Sequence, residues 1–217
     1  MFKLNALLKN VSIDVGRITV FPAGWLENES IWLHMEYKYL LELLRNELDE
    51  EFWNISKNVL VPFMNPEIYG RSIFENSSFI VSSAHSEEPL HGQGFVSRLS
   101  GTTAEFVTIW LAITCGLKPF YIDNEDKKLY LKLSPKLPSW LFDKNGLFEF
   151  KFLGNIKVVY INKTKKNTFG SNCARVVKMK LIYNNGEQIE INSDVIPPQY
   201  SYDVRNGKIK EIVCELK

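Results

Sequence analysis

Thiols are scarce in this sequence: Cys115, Cys173 and Cys214 are isolated and odd in number, which fits neither a disulfide framework nor a cysteine metal cage and implies a reducing cytoplasm. An excess of either charge is also missing, with 26 basic against 25 acidic residues, so there is no electrostatic reason to expect nucleic acid or an anionic membrane as partner. No apolar run approaches the length of a membrane span, and the N-terminus lacks the charged, apolar and small-residue order of a signal peptide. A P-loop, a dinucleotide fingerprint and a nucleophile elbow are absent as well. His85, His91 and Glu88 are neighbours in sequence, but their spacing fits no common zinc pattern, so no metal site is expected.

The most informative stretch is residues 91–119, HGQGFVSRLSGTTAEFVTIWLAITCGLKP. Thr102 followed three positions on by Glu105 has the form of a capping box and predicts a helix from about Thr103. Phe106, Ile109, Trp110 and Ile113 recur at helical spacing, Val107 and Leu111 widen the apolar face, and Gly116 and Pro119 supply stop signals. With few polar residues left, an interior helix is expected. Ahead of it lie Gly92, Gly94 and the pair Ser100-Gly101. Free amides and the positive end of the helix dipole suit an anion there, with phosphate the obvious candidate. The alternative is a plain turn before a capped core helix, and Glu105 takes up some of the same positive potential.

Upstream, Asn28 is placed to cap a helix with apolar positions Ile31, Met35, Tyr39, Leu40, Leu43 and Leu44. Asp49 begins a second, carrying Phe52, Trp53, Ile55 and Val59 and ending at Pro62, and the short connection predicts an antiparallel helical hairpin. His34, near the start of the first helix, is either a satisfied core histidine or a group reaching a cleft. Residues 65–90 are too polar and interrupted for a long helix. Arg71, Glu75 and Asn76 either line a site or belong to a loop bonded to itself. After residue 119 the period falls to two, as in Leu129, Leu131, Leu133 and in Phe148, Phe150, Phe152, with turn signals at Asp143 to Gly146, Asn184-Asn185-Gly186 and Asn206-Gly207. The expected fold is therefore α+β, helical over 1–118 and a β-sandwich of seven or so strands over 119–217.

Four segments, GRITVFPAGWLENESIWLHMEYKYLLELL, YGRSIFENSSFIVSS, HGQGFVSRLSGTTAEFVTIWLAITCGLKPF and LYLKLSPKLPSWLF, resemble in order and spacing the C-terminal end of the cellobiose phosphorylase family, which includes chitobiose and β-glucan phosphorylases. The resemblance runs from about Gly16 to Phe142 and is weaker through the β region. It implies the last helices of an (α/α)6 barrel followed by a jelly-roll-like β domain. Such enzymes are hexosyltransferases that cleave a β-glycosidic bond with inorganic phosphate, invert the anomeric centre and release an α-sugar 1-phosphate. Phosphate is itself the nucleophile, so no cofactor and no general base are implied.

Carried over residue by residue, the resemblance assigns His34, in its Glu27-Asn28-x-x-Ile31-x-x-His34 setting, and the pair Ser100-Gly101 to the phosphate, and Gln93 of HGQGF to the sugar. In such relatives the acid aspartate and the phosphate arginine lie upstream of the segments matched, and Asp14 is in no recognisable acid motif. No catalytic residue is therefore assigned. The chain is expected to be a portion that is inactive alone, to need an upstream chain that completes the barrel, and to act on a β-linked glucoside or glucan; relatives are commonly homodimers, and the oligomeric state of this portion is left open. A different class of reading is a non-catalytic carbohydrate-binding or interaction module. A third, a free-standing glycosidase, requires two facing carboxylates from Glu75, Glu87, Glu88 and Glu105.

Overall fold

A computed structural model describes residues 1–8, 11–97 and 101–217. The chain is α+β and divides into two compact units, Met1–Ile109 and Trp110–Lys217. The division falls inside helix α4 (Gly101–Cys115), ahead of the expected boundary near 118. The last carbonyls of a helix have no partners within it. Here they are taken up by the second unit, with Lys136 N donating to Ile113 O at 2.8 Å, Ser134 N to Cys115 O at 3.0 Å, and the Tyr160 hydroxyl to Thr114 O at 2.6 Å.

In the first unit, α1 (Leu33–Arg45) and α2 (Asp49–Val59) form the expected hairpin. Leu33, Tyr37, Leu40, Leu41 and Leu44 make one buried stripe of α1, and Phe52, Trp53, Ser56 and Val59 are the buried residues of α2. This unit is not purely helical. A three-stranded antiparallel sheet joins β1 (Ile31–Trp32), β2 (Ser77–Ile80) and β3 (Gly94–Ser97), in the order β1-β2-β3. Its strands are too short to show a period of two.

The stretch between α2 and β3 is bonded to itself. The short helix α3 (Pro66–Tyr69) delivers Tyr69, whose hydroxyl donates to Glu75 O at 2.6 Å or Ser77 Oγ at 2.7 Å and accepts from Ser77 N at 2.9 Å. Tyr37 Oη donates to Asn76 Oδ1 and accepts from Val61 N, both at 3.1 Å. Arg71 Nε donates to Gly94 O at 2.7 Å. Of the two readings of Arg71, Glu75 and Asn76, these contacts favour the loop that satisfies its own polar groups.

The second unit has two sheets. One orders as β10-β5-β4, built from β4 (Phe120–Ile122), β5 (Leu129–Lys132) and β10 (Val195–Ile196). The other orders as β6-β7-β11-β8-β9, built from β6 (Leu147–Phe152), β7 (Ile156–Asn162), β8 (Val176–Tyr183), β9 (Gln188–Ile191) and β11 (Ile209–Leu216). The C-terminal strand β11 is central, parallel to β7 and antiparallel to β8. Helix α5 (Pro198–Arg205) interrupts the strand region. Pro197-Pro198 opens it with φ preset for a first turn, and Asn206-Gly207 ends it, with Gly207 at φ 72° donating to Val204 O at 3.1 Å. That dipeptide is thus a helix terminator, whereas Asn184-Asn185-Gly186 is the β8–β9 hairpin turn.

Cys115 and Cys214 are fully buried in this unit beside Tyr160. Burial pushes the Cys115 thiol up to about 12 and raises that of Cys214 as well, so neither presents thiolate at neutral pH. Cys173 is partly exposed. A colorimetric thiol titration of the native protein is expected to count one reactive cysteine, rising to the full three of the sequence in denaturant. Three fast-reacting thiols under native conditions would contradict this packing.

Candidate functional site

His34 owes its place to a strand-to-helix junction. Ile31 and Trp32 pair with Ile80 and Phe79 of β2, and α1 begins at the next residue, so His34 lies in its first turn. Asn28 does not cap this helix: α1 begins at Leu33, Trp32 occupies the cap position without a side-chain bond, and the Asn28 amide donates to Phe21 O at 2.8 Å. Trp32 stacks on Phe79, with ring centroids 5.7 Å apart and planes at 20°, and meets the His34 ring edge-on at 6.3 Å.

Gly101 opens α4 directly against that histidine. A Cβ built on Gly101 would lie 2.4 Å from His34 Cε1 and 2.6 Å from both Nδ1 and Nε2. The imidazole therefore rests on the backbone of Gly101, and only glycine leaves room for it. Two residues far apart in sequence, both assigned to phosphate, come together at one point. Ser100, the third, lies outside the described residues.

The expected capping box is not formed. Since α4 starts at Gly101, Thr102 falls within its first turn, wholly buried, and its hydroxyl has no hydrogen-bond partner among the described residues. Glu105 is one helical turn on from Gly101 and faces the histidine instead, with Oε1 3.6 Å from His34 Nε2. The two side chains are 21% and 27% exposed, so an ion pair between them, formed when the ring is protonated, is open to competition from solvent and solutes. Nor is α4 an interior helix throughout: Ile109, Ala112 and Ile113 are buried, whereas Val107 and Leu111 are exposed.

Gln93 is held elsewhere. Its amide donates to Pro89 O at 3.0 Å, and its side chain lies against Gly70. His91 Nε2 is 2.8 Å from His85 O, and His85 Nδ1 accepts from Glu87 N at 3.1 Å, so these histidines tie a loop together. Among the described residues no cluster of three or more His, Cys, Asp or Glu side chains is placed to hold a metal ion, and no helix is long and apolar enough to cross a membrane.

The arrangement joins an imidazole, the N-terminal turns of α1 and α4, and an aromatic pair. Helix N-termini present unpaired N–H groups and positive potential, so the point where His34 meets Gly101 can receive an anion, with Glu105 as its competitor. The aromatic pair was invisible in the sequence, because Phe79 reaches Trp32 only through strand pairing. No protein-family model and no curated protein matches the chain.

Proposed function

We propose that this chain supplies part of the phosphate site of an inverting glycoside phosphorylase of the cellobiose phosphorylase type, acting on a β-linked glucoside or glucan in the cytoplasm. The observation that carries the reading is the seating of the His34 ring on Gly101, at the start of α4. An imidazole, cationic when protonated, and the first-turn amides of α4 together match the charge and acceptor oxygens of inorganic phosphate. The Trp32–Phe79 stack beside them offers an apolar face of the kind that packs on a sugar ring. Ser100 completes the hydroxyl-glycine pair in this reading, and Gln93 contributes the amide atoms that its bond to Pro89 O leaves available.

The finer architecture belongs to the same proposal. The helices of the first unit correspond to the end of an (α/α)6 barrel, and the second unit to the β domain that follows it, with the parallel β7–β11 pair a departure from an all-antiparallel jelly roll. An upstream chain then supplies the acid aspartate and the phosphate arginine, and this chain alone is inactive. Exposed Phe74 and Val107, at 92% and 51%, are side chains that such a chain, or a second copy, would cover.

The test begins with inorganic phosphate and the chain itself. Of the three histidines, the ring protons of His34 are expected to shift on phosphate addition, in a saturable manner, while those of His85 and His91 stay in place. His34→Ala is expected to weaken phosphate binding by about tenfold or more, the range for a charged hydrogen bond. Absence of a saturable shift at His34 would sink the phosphate reading. Co-expression with an upstream barrel segment should then give phosphate-dependent cleavage, whereas release of sugar 1-phosphate by the chain alone would refute its dependence on that segment. Saccharide binding indifferent to phosphate and to His34→Ala would instead support the binding-module reading.

A further inference from the structure

Residues 2–4 run along the start of α1 and enclose with it a cleft of about 440 Å³, lined by Phe2, Leu4, Trp32, Met35, Glu36 and Tyr39, with Lys3 beside them. That volume is in the range of small-molecule sites. Its wall is largely aromatic: Phe2 and Tyr39 meet edge-to-face with centroids 5.7 Å apart, and Trp32 lines it as well. Met35 adds a polarizable thioether.

Within this apolar wall sits one carboxyl group. Glu36 is 5% exposed; Phe2 N donates to its Oε1, and its buried Oε2 has no hydrogen-bond partner among the described residues. Lys3 does not neutralise it, since its ammonium is committed to Glu29 Oε1 at 2.5 Å. Burial pushes the Glu36 carboxyl up, opposed by the Phe2 N–H and by the positive charge at Met1. A buried carboxyl oxygen left without a partner is uncommon and calls for a physical account.

We propose that this cleft binds a methylated organic ammonium, whose positive charge sits among Phe2, Trp32 and Tyr39 and opposite the Glu36 carboxylate. The choice of cation follows from the geometry. Glu36 Oε2 is shielded from solvent, so a donor that must touch it, such as a sugar hydroxyl or a primary ammonium, gains little. A quaternary ammonium needs no hydrogen bond. Its charge acts through space, and its methyl groups pack on aromatic faces, whose negative quadrupole attracts a cation. The cleft involves neither His34 nor Gly101, so the inference is separate from the phosphate contact and shares only Trp32 with the proposed sugar-facing stack.

The test compares choline with 3,3-dimethylbutan-1-ol, the same shape with carbon in place of charged nitrogen, by titration calorimetry and tryptophan fluorescence at constant ionic strength. Choline is expected to bind at least about tenfold more tightly than the neutral alcohol, the combined effect of several aromatic faces and a carboxylate on one cation. Glu36→Gln, which keeps the shape and the acceptor for Phe2 N, should remove that preference, and Tyr39→Leu at a position 43% exposed should weaken choline binding without unfolding the chain. Equal binding of both ligands, no binding of choline, or indifference to Tyr39→Leu would each overturn the proposal. The comparison of the two ligands on the unmodified protein decides it even if Glu36→Gln fails to fold.

Discussion

Gly101→Ala is expected to abolish the response of His34 to phosphate while costing about 1–3 kcal/mol of stability, the usual penalty for atoms forced into an occupied space. The new methyl group would lie 2.4–2.6 Å from three atoms of the imidazole, distances that only displacement of the ring can relieve. The ring has an escape, because the side chain is 27% exposed. The stability loss therefore belongs at the low end of the range, while the site loses both the ring and the open backbone of the glycine. The pair of variants provides the control. In a His34→Ala background the methyl group meets no ring, so the cost of Gly101→Ala should vanish, a coupling of about 0.5–3 kcal/mol for residues in contact. Thermal denaturation of the two single variants and the double variant measures the coupling, and phosphate titration shows whether binding stays lost. Additive costs would mean that ring and glycine are not in contact.

Gly94→Ala should be more damaging to the fold, by about 3 kcal/mol or more, because here nothing can yield. An added Cβ would lie 2.2 Å from Tyr69 Cε2 and 2.4 Å from Ser77 Oγ. Tyr69 is 1% exposed, and its hydroxyl is held by Glu75 O, Ser77 Oγ and Ser77 N. Moving the ring would break those bonds and leave buried polar groups unpaired, at about 1–3 kcal/mol each. Gly94 also pairs with Ile80, so the displacement would pass into the strand that positions Trp32 and His34. Urea denaturation of the variant is the measurement. A loss below about 1 kcal/mol would show the ring to be freer than these contacts allow.

How much of this was legible in the sequence depended on where each partner lay. The α1–α2 hairpin could be read because its apolar spacing is local and repeated, although the stripe shifts to include Tyr37 and leaves Met35 and Tyr39 outside it. The strands after residue 119 were legible for the same reason, as in β6, where Phe150 and Phe152 are buried and Glu149 and Lys151 exposed. Strands β1, β2 and β3 were not legible, since two to four residues carry no period and their pairing joins distant positions. Helix α5 was hidden by a start at two prolines and an end at Asn206-Gly207, signals shared with strand turns.

At the site, His34 and Gly101 were each visible as candidates, but only the resemblance grouped them, and their contact is made by the fold. Glu105 shows the opposite case. Its spacing from Thr102 fitted a capping box, yet the helix starts early enough to leave the Thr102 hydroxyl without a partner among the described residues and to turn the carboxylate toward His34. Local pattern supplied the helix there. The histidine that competes for Glu105 comes from another element altogether.

The passage of α4 through both units has an evolutionary consequence. Recombination exchanges modules most readily at exposed linkers, where few contacts are severed. Here a crossover at Ile109/Trp110 would cut a helix whose first residue carries the His34 contact and whose last carbonyls are bonded to residues 134, 136 and 160. Either half, transplanted, would need a donor helix with the correct turn at the join. A crossover that separates the two units at that point therefore severs a helix and not a linker.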